Sequence, residues 1–96
     1  AQQYLDVVNA HAGYLTQNPG QHVRIAGHTD ERGSREFNLS LGERRSLSVL
    51  RLMMLRGVPR SQVEIISYGE EVPDALGHDE SSWSQNRRAV LEYVAR

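Results

Sequence analysis

Two sets of charged side chains in this sequence could recognise a charged ligand. The first is an acidic stretch that contains Asp30, Glu31 and Glu36. The second is Arg45, which lies on the same apolar stripe of a predicted helix as Val49. An unpaired guanidinium is costly to bury, and the helix dipole does not favour a cation in the second helical turn. We therefore expect an anion beside Arg45, supplied by the acidic stretch or by a ligand.

A purely structural interpretation of the same residues also stands. Aspartate is common at turns because its side chain bonds nearby backbone groups, and Asp30 lies in a turn-rich segment. Arg45 could close a salt bridge to Asp30 or to Glu43. The sequence does not distinguish an Asp–Arg salt bridge that is structural from one that binds a ligand. The two interpretations are compatible, because the salt bridge could form in the free protein and break when a ligand binds.

Catalytic and metal-binding chemistry has little support in the sequence. The chain has no cysteine, which excludes disulfides, thiolate chemistry and cysteine-ligated zinc. Possible metal ligands cluster at His28, Asp30 and Glu31 and at His78, Asp79 and Glu80. Neither cluster has the spacing of a helical zinc motif, and no nucleophile elbow accompanies Ser40 or Ser81. We expect no metal, no cofactor and no enzymatic activity.

The bulk properties indicate one ordinary globular domain that covers residues 1–96. The net charge is −1, so there is no basic field for nucleic acid or for an anionic membrane surface. No apolar run is long enough to cross a bilayer. The chain opens without a signal-peptide pattern, so we expect any export or lipidation segment to have been removed or to lie upstream.

The first half of the chain predicts a helix, a strand and a second helix. Apolar residues recur at spacings of three and four over the first segment, which residues 18–20 end. These residues are Tyr4, Leu5, Val8, Ala12 and Leu15. Residues 22–28 alternate, with Val23, Ile25 and Gly27 on one side, and predict a strand. A polar loop over 27–38 and a long helix over 39–56 follow.

The second half predicts two more strands with a short helical turn between them. The first of these strands covers residues 63–68, and a loop covers 69–79. A helical turn follows over 80–86 with Asp79 as its N-cap. The last strand begins at Arg87 or Arg88 and runs to Val94. Trp83 and Tyr68 are expected to be core or interface residues. The order of elements predicts an α/β two-layer sandwich.

Several blocks of residues follow one another in the order and spacing of the OmpA-like domain family. The blocks are GHTDERG at 27–33, EFNLSLGERRS at 36–46, SYGEE at 67–71 with Pro73, GHDE at 77–80, WS at 83–84 and NRRAV at 86–90. Within the family, the segments 31–38 and 77–80 are most similar to the peptidoglycan-associated lipoproteins of the Tol–Pal system. Porin tails and flagellar stator proteins of the same family resemble the chain less.

The resemblance implies a binding site for the stem peptide of peptidoglycan. The family's ligand is meso-diaminopimelate, whose free end carries an ammonium and a carboxylate on one carbon. The family's acid falls on Asp30 and its arginine on Arg45, and Leu41 is expected to line the apolar stem of the ligand. Thr29, Arg32 and Asn38 are further candidates in the same pocket. Residues 86–88 are expected to be mainly structural support.

The resemblance also implies a βαβαβ-type fold in which this chain lacks the family's first strand. We expect the sheet to have one strand fewer and an exposed edge. The implied role is to link the outer membrane to the cell wall from the periplasmic side, through a lipid anchor upstream of this chain. The alternative is a periplasmic interaction module whose main partner is a TolB-like propeller, and a small metal-dependent cell-wall hydrolase is the third hypothesis.

Overall fold

Three helices and a three-stranded sheet make up the molecule. A computed structural model of the chain describes residues 2–94. The elements are α1 (Gln2–Gln17), β1 (His22–His28), α2 (Arg35–Leu55), β2 (Val63–Gly69), α3 (Glu80–Asn86) and β3 (Ala89–Val94), with a 3-10 turn at Arg60–Gln62. This order of elements confirms the predicted α/β class and the three predicted strands.

The strand β1 lies at the centre of the sheet, whose order is β2-β1-β3. It pairs in parallel with β2, so that Ile25 is opposite Ile65. It pairs antiparallel with β3, where Ile25 is opposite Leu91. Because β1 is bonded on both sides, the residues that follow it leave the sheet at a well-defined position.

The core lies between the helices and one face of the sheet. Its fully buried members include Val8, Ala12 and Leu15 of α1, Val23 and Ile25 of β1, and Val49 and Met53 of α2. Tyr4 was expected on the buried face of α1, but it is exposed because the helix extends past the core at its first turn. Among residues 2–94, no helix combines the length and the apolar character that a membrane span needs.

The helix α2 begins at Arg35, four residues before its predicted start. Ser34 is extended and its hydroxyl accepts a hydrogen bond from the Phe37 backbone N–H at 3.1 Å, which is the usual N-cap arrangement. Residues 35–38 were wrongly assigned to the loop because three of the four are polar and follow a turn-rich segment. The predicted N-cap of α3 at Asp79 is confirmed, since its carboxylate accepts from the Ser82 N–H at 2.9 Å.

A pair of glycines allows α2 to cross β1 at very short distance. A Cβ atom placed on Gly27 would lie 1.7 Å from the backbone oxygen of Gly42. A Cβ on Gly42 would lie 2.9 Å from the backbone oxygen of Gly27 and 2.2 Å from the Ser67 hydroxyl. Only glycine fits at Gly27 without a backbone shift, so this contact determines how closely the helix approaches the end of the strand.

Replacing Gly27 with alanine should therefore destabilise the protein. The methyl group meets backbone that cannot rotate away, and overpacking of this kind costs about 1–3 kcal/mol. Urea unfolding of G27A measures the loss. The matched control is G13A, because Gly13 lies in α1 and a Cβ atom added there would have no atom within 4 Å. That change should raise the free energy of unfolding by about 0.5–1 kcal/mol, and equal effects of the two changes would contradict the packing argument.

Candidate ligand-binding site

The six residues that the sequence indicated for binding line one pocket of about 280 Å³. They are Thr29, Asp30, Arg32, Asn38, Leu41 and Arg45, and Phe37 and Arg87 complete the lining. The loop after β1, the first three turns of α2 and the residue that precedes β3 by two positions supply them. The structure brings these side chains together, while their part in binding remains a proposal.

The carboxylate of Asp30 lies at the base of the pocket and is only 8% exposed. Oδ1 accepts hydrogen bonds from the backbone N–H and from Nε of Arg32, at 3.0 and 3.2 Å. Oδ2 accepts from Nη2 of Arg32 at 2.9 Å and from Nη1 of Arg87 at 3.1 Å. The Arg32 side chain holds the pKa of the Asp30 carboxyl well below its usual range, against the opposite effect of burial.

Arg45 lies one helical turn after Gly42, and its guanidinium is partly buried. Nη1 donates to the backbone oxygen of His28 at 2.6 Å. No carboxylate among residues 2–94 forms an ion pair with Arg45. Burial lowers the pKa of Arg45, as does the charge of Arg87, while Asp30 raises it. The alternative of a salt bridge from Arg45 to Asp30 or Glu43 is therefore wrong for this structure.

The remaining predicted residues contribute polar and apolar walls. Thr29 is buried and donates from Oγ1 to the Asp30 backbone oxygen at 3.0 Å. Asn38 is 1% exposed and donates from Nδ2 to Glu70 at 3.0 Å, so its amide is fixed by the loop after β2. Leu41 is partly exposed and supplies an apolar side.

The start of α2 contributes no free N–H group to the wall of the pocket. Phe37 is the pocket residue in the first turn, and its N–H is bonded to Ser34 Oγ. The Asn38 N–H is bonded to the Ser34 backbone oxygen. An anion in this pocket must therefore be held by side chains.

Arg87 and Phe37 are pocket residues that the sequence reasoning missed. Arg87 was assigned to structural support with Asn86 and Arg88, but its guanidinium bridges Asp30 and Glu80. Strand alternation offered a signal, because Arg87 is in phase with Ala89 and Leu91, whose side chains pack on the core. Phe37 precedes Leu41 by one helical turn, and the correct start of α2 would have placed both on one face.

Asn86 and Arg88 support the loop rather than the pocket. The Asn86 amide oxygen accepts from the backbone N–H groups of Asp74 and Ala75, at 2.8 and 2.9 Å, and its Nδ2 donates to the Ala75 oxygen. Arg88 donates to the backbone oxygens of Val72 and Asn86. These bonds fix the long loop between β2 and α3 against the start of β3.

A polar cluster stands beside the pocket around Trp83. The indole Nε1 donates to Glu31 at 2.7 Å, and Nδ1 of His78 lies 2.7 Å from the same carboxylate. The Arg32 guanidinium carbon lies 4.3 Å from the centroid of the Trp83 ring. Trp83 is thus a platform at the edge of the site, whereas it was expected in a core or an interface.

The charges of the pocket suit a ligand that is both cationic and anionic. Its lining holds one carboxylate and three guanidinium groups. Arg45 has one carbonyl partner and free donors, so it can take a carboxylate in a bidentate fork. Residues 2–94 contain no group of three or more His, Asp or Glu side chains placed to hold a metal ion.

Comparisons with known proteins find relatives that match nearly the whole of this chain. The OmpA family model matches residues 1–87. A peptidoglycan-associated lipoprotein of Legionella pneumophila is 54% identical over 95 residues, which are 99% of this chain and 54% of that protein. Its counterpart in Pseudomonas aeruginosa is 53% identical over 92 residues, 96% of this chain and 52% of that protein. The chain thus spans about half the length of these relatives.

Solved structures agree with this fold. The crystal structure of the peptidoglycan-associated lipoprotein from Burkholderia pseudomallei superimposes with a TM-score of 0.95 at 50% identity, covering 98% of this chain and 80% of that one. The C-terminal domain of Helicobacter pylori MotB gives a TM-score of 0.87 at 21% identity, covering 100% of this chain and 75% of that one. The second similarity concerns the fold alone.

The depressed pKa of Asp30 predicts how stability depends on pH. The carboxylate is stabilised in the folded state, so its contribution is present above its unfolded value of 3.8 and is lost as pH falls below that value. D30N should be less stable than the wild type at pH 7, by roughly 1.5–3 kcal/mol for bonds to a charged group. Urea unfolding at pH 7 and at pH 3 should show this difference shrinking at the lower pH. The exposed Asp6→Asn is the control, and a pH-independent difference for D30N would contradict the assignment.

Proposed function

The chain belongs to the OmpA family, and from this membership we propose that it binds peptidoglycan through the meso-diaminopimelate of the stem peptide. Peptidoglycan binding in the cell envelope is the function that the names of its relatives support. The domain is a binding module and not an enzyme. One observation supports diaminopimelate as the group that is bound. Asp30 and Arg45 line the same pocket, and the guanidinium of Arg45 forms no ion pair with a carboxylate of residues 2–94.

The free end of diaminopimelate complements these two groups. Its carboxylate can accept two parallel hydrogen bonds from Arg45, whose remaining donors bind no carboxylate among residues 2–94. Its ammonium can donate to Asp30, whose low pKa, caused by the hydrogen bonds from Arg32 and Arg87, keeps the carboxyl ionised. Because both charges sit on one carbon of the ligand, each contact orients the other and the pair together selects a zwitterion.

The apolar part of the ligand has a matching wall. Leu41 and Phe37 lie one turn apart on α2, and both line the pocket. Phe37 is 53% exposed, so its ring offers apolar surface to a ligand. The methylene chain of diaminopimelate would cover part of this surface, while Asn38 and Thr29 form the polar side.

We place the whole protein in the Tol–Pal system, at the periplasmic side of the outer membrane and held there by a lipid anchor outside this chain. The relatives that it matches over about half their length are named lipoproteins. A TolB-like periplasmic protein is the proposed protein partner. Such a partner would compete with peptidoglycan if it used the pocket, and it would bind independently if it used another face.

Loss of either charge should strongly weaken retention on the cell wall. D30A and R45A each remove charged hydrogen bonds worth about 1.5–3 kcal/mol, so each should weaken binding about ten- to a hundredfold. Co-sedimentation with purified sacculi that contain diaminopimelate measures this loss.

Two neighbouring variants serve as matched controls for this experiment. Arg44→Ala removes the adjacent guanidinium on α2, which does not line the pocket, and Asp6→Ala removes an exposed carboxylate of α1. Both should bind like the wild type. Full binding by D30A and R45A would refute the proposed site, and release of soluble muropeptides by the wild-type chain would refute the non-enzymatic assignment.

A further inference from the structure

We propose that Arg32 is an intramolecular competitor for the site, because its guanidinium occupies on Asp30 the place that the ligand's ammonium must take. This inference rests on the proposed function and deepens it. It assigns Arg32 a role opposite to that of a ligand contact, because Arg32 lowers the affinity of the site for every amine that must reach Asp30.

The Asp30 carboxylate has no vacant oxygen for an incoming ammonium. Its two oxygens already accept four hydrogen bonds, three from Arg32 and one from Arg87. A ligand ammonium must therefore displace one of the two guanidinium groups. The backbone N–H of Arg32 stays in place whichever side chain moves, because it belongs to the turn itself.

Arg32 is the group that can leave. Its side chain is 52% exposed, and among residues 2–94 it bonds no carboxylate other than Asp30. The Arg87 side chain is 31% exposed, and its Nη2 donates to Glu80 at 2.5 Å. Displacing Arg87 would break two ion pairs at the start of β3, whereas displacing Arg32 breaks one in a loop.

The Trp83 ring keeps Arg32 over Asp30 in the free protein. The guanidinium lies 4.3 Å from the ring centroid, a favourable cation–π distance, and the bond from Nε1 to Glu31 fixes the ring. The competitor is thus held at high local concentration beside its anion. The ligand replaces a contact that is already made and does not fill an empty position.

Because of this exchange, a simple amine gains too little binding free energy at Asp30 to bind well. An ammonium without a neighbouring carboxylate only substitutes one cation for another on Asp30 and gains little. A zwitterion makes the same exchange and adds the bidentate contact with Arg45. Arg32 therefore weakens the binding of zwitterions and plain amines alike, and only the zwitterion has the Arg45 contact to offset that loss.

Titration of R32Q with two stem peptides tests the competition. One peptide carries meso-diaminopimelate and the other carries lysine in its place. Removing a competitor raises the apparent affinity of every ligand that needs the open state by the same factor. We expect R32Q to bind both peptides roughly two- to fivefold more tightly than the wild type, the range for a partly exposed ion pair. R32K keeps a competing cation but loses the forked contact with Asp30, so its affinity should lie between those of the wild type and R32Q.

Arg35→Gln is the matched control, because Arg35 is an exposed arginine near Arg32 in sequence that pairs with Glu71 and does not line the pocket. Weaker or unchanged binding of the diaminopimelate peptide by R32Q would overturn the competition. If the wild type still bound that peptide and D30A did not, the proposed function would survive this result. If neither the wild type nor R32Q bound either peptide, both proposals would fall.

Discussion

The contact between Gly27 and Gly42 is the constraint on which the site depends. A strand and a helix normally keep their backbones apart by the width of side chains, but here the two backbones touch. Asp30 follows Gly27 by three residues, and Arg45 follows Gly42 by three residues, almost one helical turn. Two charged groups that are fifteen residues apart in sequence thus reach one pocket because the elements that carry them cross without an intervening layer.

Asp30 and Arg45 differ in how many hydrogen-bonded partners the protein itself gives to their charged groups. Asp30 has more partners than it needs, whereas Arg45 is partly desolvated with one carbonyl as its hydrogen-bonded partner. A desolvated cation without a counter-charge costs free energy in the empty protein, and an incoming carboxylate recovers that cost. Stability is therefore concentrated at Asp30 and binding capacity at Arg45. The surrounding loops, tied by Asn86 and Arg88, keep the two roles in place.

Much of this arrangement could be predicted from periodicity and spacing, and the failures have physical reasons. Alternation at residues 22–28 and helical spacing around Val49 predicted the elements that carry Asp30 and Arg45. The start of α2 was wrong because the Ser34 cap overrides the turn-like composition of the residues after it. The ion-pair partners of Asp30 could not be predicted, since Arg87 lies 57 residues away and all eleven basic residues are arginines. The platform role of Trp83 depends on a loop geometry that no local pattern encodes.

We propose that Arg45 recognises a carboxylate that only the zwitterionic end of diaminopimelate supplies. Calorimetric titration of the wild-type chain with a meso-diaminopimelate stem peptide and with the same peptide carrying lysine tests it most directly. The two ligands share the ammonium and differ in that carboxylate. We predict saturable binding of the first and about ten- to a hundredfold weaker binding of the second, the loss expected for charged hydrogen bonds. Equal affinity for both peptides, or no binding of the diaminopimelate peptide, would contradict the claim.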